Sequence, residues 1–140
     1  AARSRHLFPS LTKEGAPAIL ETTGNPYAHL VLRGGSETGP NFDAASIESA
    51  VRLLRAAELP EVLMVDCSHG NSDKDATRQI DVANAIMGNL RISPIRALMI
   101  ESHLVAGRQN APIRYGQSIT DACLGFEETK ELLYRLADAV

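Results

Sequence analysis

The sequence predicts an α/β fold in which a short antiparallel β-hairpin leads into a parallel sheet. Three observations carry this reading. Apolar runs of strand length alternate three times with segments of helical periodicity. Each run ends directly in a polar cluster, as strands of a parallel sheet do where their C-terminal ends share one rim. Ahead of the repeat lie two β-rich segments divided by glycine and proline.

The hairpin is read at residues 7–12 and 18–22, divided by Gly15 and Pro17. Thr23-Gly24-Asn25-Pro26 separates it from a strand at 28–32, which ends in Arg33-Gly34-Gly35 and a glycine-rich loop to Pro40. Asp43 is placed as the N-cap of a helix with inner positions Ile47, Val51, Leu54 and Ala57, stopped by Pro60. The continuous apolar run 62–65 suits a strand buried on both faces and enters Asp66-Cys67-Ser68-His69. A second helix is expected over about 76–90, with Ile80, Ala83, Ile86 and Met87 as its inner stripe. A third strand at 97–100 ends in Glu101-Ser102-His103. Then come a polar loop over 107–117 and a turn of helix near 118–123. A terminal helix over 127–139 is expected to turn Leu132, Leu133, Leu136 and Ala137 inward. The connections have lengths suited to right-handed crossovers.

Composition narrows the functional classes. With 140 residues, 44% hydrophobic and 22% charged, the chain reads as one soluble globular domain. A net charge of −3 argues against nucleic acid or an anionic membrane as the main partner. No apolar run approaches the ~20 residues that span a bilayer. Cys67 and Cys123 are too few for a disulfide framework, and a reducing cytoplasm is the expected location. The opening Ala-Ala-Arg-Ser-Arg, without an initiator Met, is read either as the product of processing or a tag or as an internal stretch of a longer protein.

The polar strand ends hold the candidate chemistry. His69, Glu101 and Asp121 form a mixed nitrogen and carboxylate set able to hold a divalent transition metal. Alternatives stay open at this point. A strand-end histidine also hydrogen-bonds neighbouring loops, and Ser118-Ile119-Thr120-Asp121 also suits a helix cap. Glu101, after a buried strand, needs a partner or a cation. Arg33 beside two glycines reads as an anion-binding fork or as a salt bridge at the rim. Cys67 lacks an evident orienting group for nucleophilic work and is assigned a structural or metal-adjacent role. Cys123 is read as packing, His103 as supporting, and Lys74 as solvated.

Four motifs in order make a resemblance. Leu32-Arg33-Gly34-Gly35, Asp66-Cys67-Ser68-His69-Gly70-Asn71-Ser72, Glu101-Ser102-His103-Leu104 and Ser118-Ile119-Thr120-Asp121-Ala122-Cys123 resemble the class I 3-deoxy-7-phosphoheptulonate synthases. These are the microbial, amino-acid-regulated enzymes that open the shikimate pathway. The match covers essentially the whole chain, including Ser10-Leu11-Thr12-Lys13 and the Thr22-Thr23-Gly24-Asn25 turn.

The resemblance implies a (β/α)8 barrel that condenses phosphoenolpyruvate with erythrose 4-phosphate and releases phosphate. It places His69, Glu101 and Asp121 on three of four protein ligands for Mn²⁺, Fe²⁺, Co²⁺ or Zn²⁺, which would act as a Lewis acid on the aldehyde or orient the attacking water. It implies that Arg33 binds the phosphoenolpyruvate phosphate, that Arg33 and His69 are catalytic, and that Asp121 also meets substrate. It further implies homo-oligomers and inhibition by an aromatic amino acid. Ser10 lies at the start of the hairpin that partly builds that effector site; a solvent-facing strand serine is the other reading.

The departures matter as much. The family's fourth ligand is a cysteine on the first barrel strand, and neither Cys67 nor Cys123 fills that position. The Lys-Pro-Arg-Thr segment that grips both substrates is absent, as are the arginine and lysine of the middle strands. Residues 1–140 are therefore expected to be a single partial domain. In it, 7–32 form a hairpin leading into a barrel strand and 28–140 form three strand–helix units, the C-terminal portion of a TIM barrel. Three strands cannot close a barrel, so the chain alone is expected to be inactive and to self-associate through its open edge. Two rival readings are a non-catalytic regulatory or assembly module and a related enzyme condensing phosphoenolpyruvate with another aldose phosphate.

Overall fold

The structure is a computed structural model that describes residues 2–91 and 93–140. Strands β1 (Leu7–Leu11) and β2 (Pro17–Glu21) pair antiparallel, with Leu7 opposite Glu21 and Ser10 opposite Ala18. Gly15 takes the left-handed φ of 82° that the turn requires. A two-stranded ribbon cannot cover its own apolar side chains, and Leu7, Phe8, Leu11, Ile19 and Leu20 are all exposed.

The expected parallel sheet consists of β3 (Leu30–Leu32), β4 (Leu63–Asp66) and β5 (Ile95–Met99), in that spatial order. As the middle strand, β4 is covered on both faces, and Leu63, Val65 and Asp66 are fully buried. This is what its uninterrupted apolar run anticipated. The outer edges of β3 and β5 have no strand partner among the described residues. Beside β5 lies an apolar hollow of about 590 Å³ lined by Leu90, Ile95, Leu98, Ile100, Leu133 and Leu136.

Helix α1 (Ala44–Ala56) starts at the expected cap. The Asp43 carboxylate accepts from the Ser46 amide (3.0 Å) and hydroxyl (2.6 Å), which holds its carboxyl below the usual range. The helix stops before Pro60, for a reason the sequence reading missed. Glu58 takes a left-handed φ of 53°, its amide bonds to the Arg55 carbonyl, and the Leu59 amide reaches back to the Leu54 carbonyl. This is a Schellman ending with glutamate where glycine is usual.

Helix α2 (Arg78–Met87) is shorter than expected and turns Gln79, Val82, Ala83 and Ile86 to the core, with Ile80 and Met87 only half-buried. Helix α3 (Phe126–Ala139) buries Leu132 and partly buries Leu136. Leu133 is 54% exposed and faces, with Ala137, the hollow beside β5, so the expectation that both pack inward is corrected.

The turn of helix expected near 118–123 does not form. Instead β6 (Val105–Arg108) pairs in parallel with the two-residue strand β7 (Gln117–Ser118). The intervening loop is folded by one side chain. Gln109 donates to the carbonyls of Arg114 (2.7 Å) and Gln117 (3.0 Å) and accepts from the amides of Ile113 (3.0 Å) and Arg114 (2.8 Å).

Candidate metal and anion site

His69 stands just past the C-terminal end of β4. Its φ of 48° is left-handed, an uncommon conformation in which histidine is among the better tolerated residues. The turn folds the ring back, and Nδ1 lies 2.8 Å from Oδ2 of the fully buried Asp66. Nε2 is thereby directed elsewhere, to 3.5 Å from Oε1 of Glu101.

Glu101 follows β5 at the same rim and is held at both its side chain and its backbone. The Ser68 hydroxyl donates to Oε2 at 2.6 Å, leaving Oε1 on the His69 side. From α2, the fully buried Gln79 accepts from the Glu101 amide (2.8 Å) and donates to the Glu101 carbonyl (3.2 Å). Sequence reasoning assigned no role to Gln79. The signal was available, since a glutamine three residues before Val82 and seven before Ile86 sits on the inner stripe of an amphipathic helix and must find a polar partner there.

Asp121, 20 positions further along, is brought to Glu101 by backbone lacing. The Gly107 amide bonds to the Cys123 carbonyl (2.8 Å) and the Cys123 amide to the Gly107 carbonyl (3.2 Å), while the Leu124 amide bonds to the Glu101 carbonyl (3.0 Å). Residues 121–124 are thus stitched alongside 101–107. No helix begins at Asp121 to be capped, and α3 starts after Gly125.

One ligand-type atom from each of His69, Glu101 and Asp121 lies within 4.8 Å of the others. The space between them, lined also by Ser68, Lys74 and Ala122, is about 10 Å³. That volume suits a single ion or water and excludes an organic substrate. Ligands about 2.1 Å from a shared divalent metal stand roughly 3.0–3.4 Å apart, close to the 3.5 Å between His69 and Glu101. One imidazole nitrogen and two carboxylates also suit Mn²⁺, Fe²⁺, Co²⁺ or Zn²⁺ chemically. The donor set therefore fits a divalent metal.

Neither cysteine joins this set. Cys67 is fully buried, and burial, followed by the adjacent Asp66 charge, pushes its thiol up to about 12. A thiol held protonated in this way is a poor nucleophile at neutral pH, and its sulfur is not among the donor atoms grouped with His69, Glu101 and Asp121. Cys123 is half-buried, with its pKa raised chiefly by burial, and lies near the Asp121 carbonyl. His103 accepts from the Leu104 amide through Nδ1. Ser10 is half-buried on β1, in a different sheet from the site.

Arg33 ends β3 beside this centre. Its Nε lies 3.7 Å from Asp66 Oδ2, and its side chain is 60% exposed. The salt-bridge reading is thus present, and the exposed guanidinium also opens onto a cleft of about 490 Å³. Lys74 and Arg78 line this cleft together with Gly34, Gly35 and Gly70. The glycines make room for two crossing backbones. A methyl group added at Gly70 would sit 2.6 Å from Gly34 C and Gly35 N, and one at Gly34 would sit 2.6 Å from Gly70 C. Lys74, read from sequence as solvated, lines both the cleft and the small metal-sized space.

Comparison with known proteins gives this arrangement a family. The family model for the DAHP synthetase I family matches residues 1–134. The chain belongs to the DAHP synthetase I family. Among its relatives, the Trp-sensitive phospho-2-dehydro-3-deoxyheptonate aldolase of Escherichia coli K12 is 44% identical over 146 aligned positions, which take in 100% of this chain and 41% of that enzyme. The Trp-sensitive aldolase of Buchnera aphidicola shows the same identity and coverage. The solved phospho-2-dehydro-3-deoxyheptonate aldolase of Francisella tularensis superposes with a TM-score of 0.91 at 45% identity, covering 99% of this chain and 42% of that one. The chain thus spans about two fifths of the length of these DAHP synthetase I relatives.

Proposed function

We propose that this chain is the C-terminal part of a 3-deoxy-7-phosphoheptulonate synthase, which joins phosphoenolpyruvate to erythrose 4-phosphate. The observation that carries the proposal is the convergence of His69, Glu101 and Asp121 at adjacent strand ends, one strand from Arg33 and its cationic cleft. In this reading the three residues hold a divalent metal. The bound metal supplies Lewis acidity toward an aldehyde oxygen or orients a water.

The chain's own groups have defined tasks. The Arg33 guanidinium binds the phosphate of phosphoenolpyruvate, and Lys74 and Arg78 add positive charge around the developing anion. His69 and Asp121 stand where the two substrates meet. Carbon 3 of phosphoenolpyruvate bonds to the aldehyde carbon, water adds at carbon 2, and the C–O bond to phosphate breaks. The sum is one heptulosonate 7-phosphate and one inorganic phosphate.

The three parallel strands are read as the last three of a (β/α)8 barrel, and residues 1–140 as one partial domain. Support comes from the edges of β3 and β5, which have no strand partner among the described residues, and from the apolar hollow beside β5. The fourth metal ligand and the remaining substrate-binding cations belong, in this reading, to the rest of the barrel, so the isolated chain is inactive. The exposed apolar hairpin favours a homo-oligomeric contact and an effector site near Ser10. Relatives named Trp-sensitive make tryptophan the first effector to test. No described helix is long and apolar enough to cross a membrane, which agrees with cytoplasmic work on phosphorylated substrates.

Phosphate release by the full-length protein tests the proposal. It is expected with phosphoenolpyruvate and erythrose 4-phosphate, to be abolished by EDTA, and to return with Mn²⁺. Turnover with a five-carbon aldose phosphate and none with erythrose 4-phosphate would favour the rival condensing enzyme. No turnover with either sugar would favour the regulatory module.

A further inference from the structure

Behind the candidate site lies a layer of buried polar side chains, and each member but one holds backbone or a single neighbour. Asp66 is the exception. The last residue of β4, it is 0% exposed, and both its carboxylate oxygens meet polar groups. Oδ1 accepts from the Ser68 amide at 2.9 Å. Oδ2 faces two charge-bearing side chains at once, His69 Nδ1 at 2.8 Å and Arg33 Nε at 3.7 Å. Its backbone carbonyl is anchored by Asn71 Nδ2 at 2.8 Å, and the Ser68 amide and His69 ring hold the carboxylate itself.

We infer that Asp66 is a positioning residue that couples the metal site to the anion site: one buried oxygen sets both the tautomer of His69 and the heading of Arg33. The inference rests on the metal reading of His69 given above. With the Asp66 carboxylate against Nδ1, a neutral His69 ring carries its hydrogen on that nitrogen, and Nε2 is the nitrogen left to ligate beside Glu101 and Asp121. A carboxylate behind a ligating histidine fixes ring orientation and raises ligand basicity. Arg33 Nε lies 3.7 Å from the same oxygen, an ion-pair contact rather than a hydrogen bond, and its two terminal nitrogens remain for a bidentate contact with an anion in the cleft. A buried aspartate that served stability alone would have no reason to control either function.

The test uses the full-length protein, ¹⁵N-histidine labelled and freed of metal. A long-range ¹H–¹⁵N spectrum is expected to show His69, assigned by loss of its signal in His69→Ala, as the Nδ1–H tautomer. The Nε2–H tautomer in the native protein would overturn the inference, and this readout needs no variant at Asp66 to fold. In Asp66→Asn, whose side-chain amide can donate to Nδ1, a mixture of tautomers is expected. Mn²⁺ affinity should fall about ten- to hundredfold, with a rise in the KM for phosphoenolpyruvate. Arg33→Ala should raise that KM while leaving Mn²⁺ affinity near native. If His69→Ala abolishes Mn²⁺ binding while Asp66→Asn keeps both native tautomer and native affinity, the positioning role is wrong and the metal reading stands. If His69→Ala leaves Mn²⁺ affinity unchanged, the metal reading fails, and this inference with it.

Discussion

Replacing Asn71 with aspartate is expected to unfold the rim of the sheet, although the two side chains have nearly the same shape. Asn71 is 1% exposed and ties together three segments. Nδ2 donates to the carbonyls of Leu32 (3.0 Å) and Asp66 (2.8 Å), the last residues of β3 and β4, and Oδ1 accepts from the Asn41 amide (2.8 Å). Aspartate would turn an oxygen toward both carbonyls and place a second negative charge in the buried layer beside Asp66. Each buried group stripped of its partner costs about 1–3 kcal/mol, so a loss of roughly 3–5 kcal/mol is expected before the charge is counted. A loss of that size appears as a lower melting temperature in thermal unfolding. Asn71→Ala, which removes the bonds without adding repulsion, should fall between Asn71→Asp and native in thermal unfolding. A native melting temperature for Asn71→Asp would mean that the rim is not held in this way.

A second large effect is expected at Gly70. Its added methyl would meet the carbonyl carbon of Gly34 and the nitrogen of Gly35 at 2.6 Å, with the Arg33 oxygen at 3.0 Å. All three are backbone atoms and cannot rotate aside. Such overpacking costs about 1–3 kcal/mol, and the relief available is to push the β3 rim, with Arg33, away from His69. Gly70→Ala should therefore lower both the melting temperature and the affinity for phosphoenolpyruvate. Gly88→Ala is the control, because Gly88, like Gly70, has no left-handed φ but has nothing within 4 Å of the added methyl. It should leave the melting temperature unchanged or slightly raised, with binding unchanged.

Much of this was legible in the sequence, and the reasons are physical. The run Leu63–Val65 could be read as a doubly covered strand because no polar residue interrupts it, and the polar residues after it then had to stand at a rim. His69, Glu101 and Arg33 were singled out by position, and the structure brings them to one rim. Asp121 was harder, because Ser118-Ile119-Thr120-Asp121 has the local chemistry of a helix start, whereas the backbone there pairs with residues 101–108 instead. That pairing depends on Gln109 folding an eight-residue loop, which no period in the sequence reports. Glu58 was missed because a Schellman ending is sought at glycine. Leu133 was misplaced because helical spacing marks an apolar stripe without saying whether its neighbour is present. Asp66 and Asn71 contact other residues rather than a ligand, and such contacts become visible only when the partners do, whereas Gln79 could be picked out from its place on the inner stripe of α2.

The central claim is that His69, Glu101 and Asp121 hold one divalent metal. It is tested most directly by titrating Mn²⁺ into the metal-free full-length protein and its His69→Ala variant. One equivalent should bind to the native protein, and that binding should be lost in the variant while its fold and its phosphoenolpyruvate contact through Arg33 remain. Equal Mn²⁺ affinity in the two proteins would contradict the account.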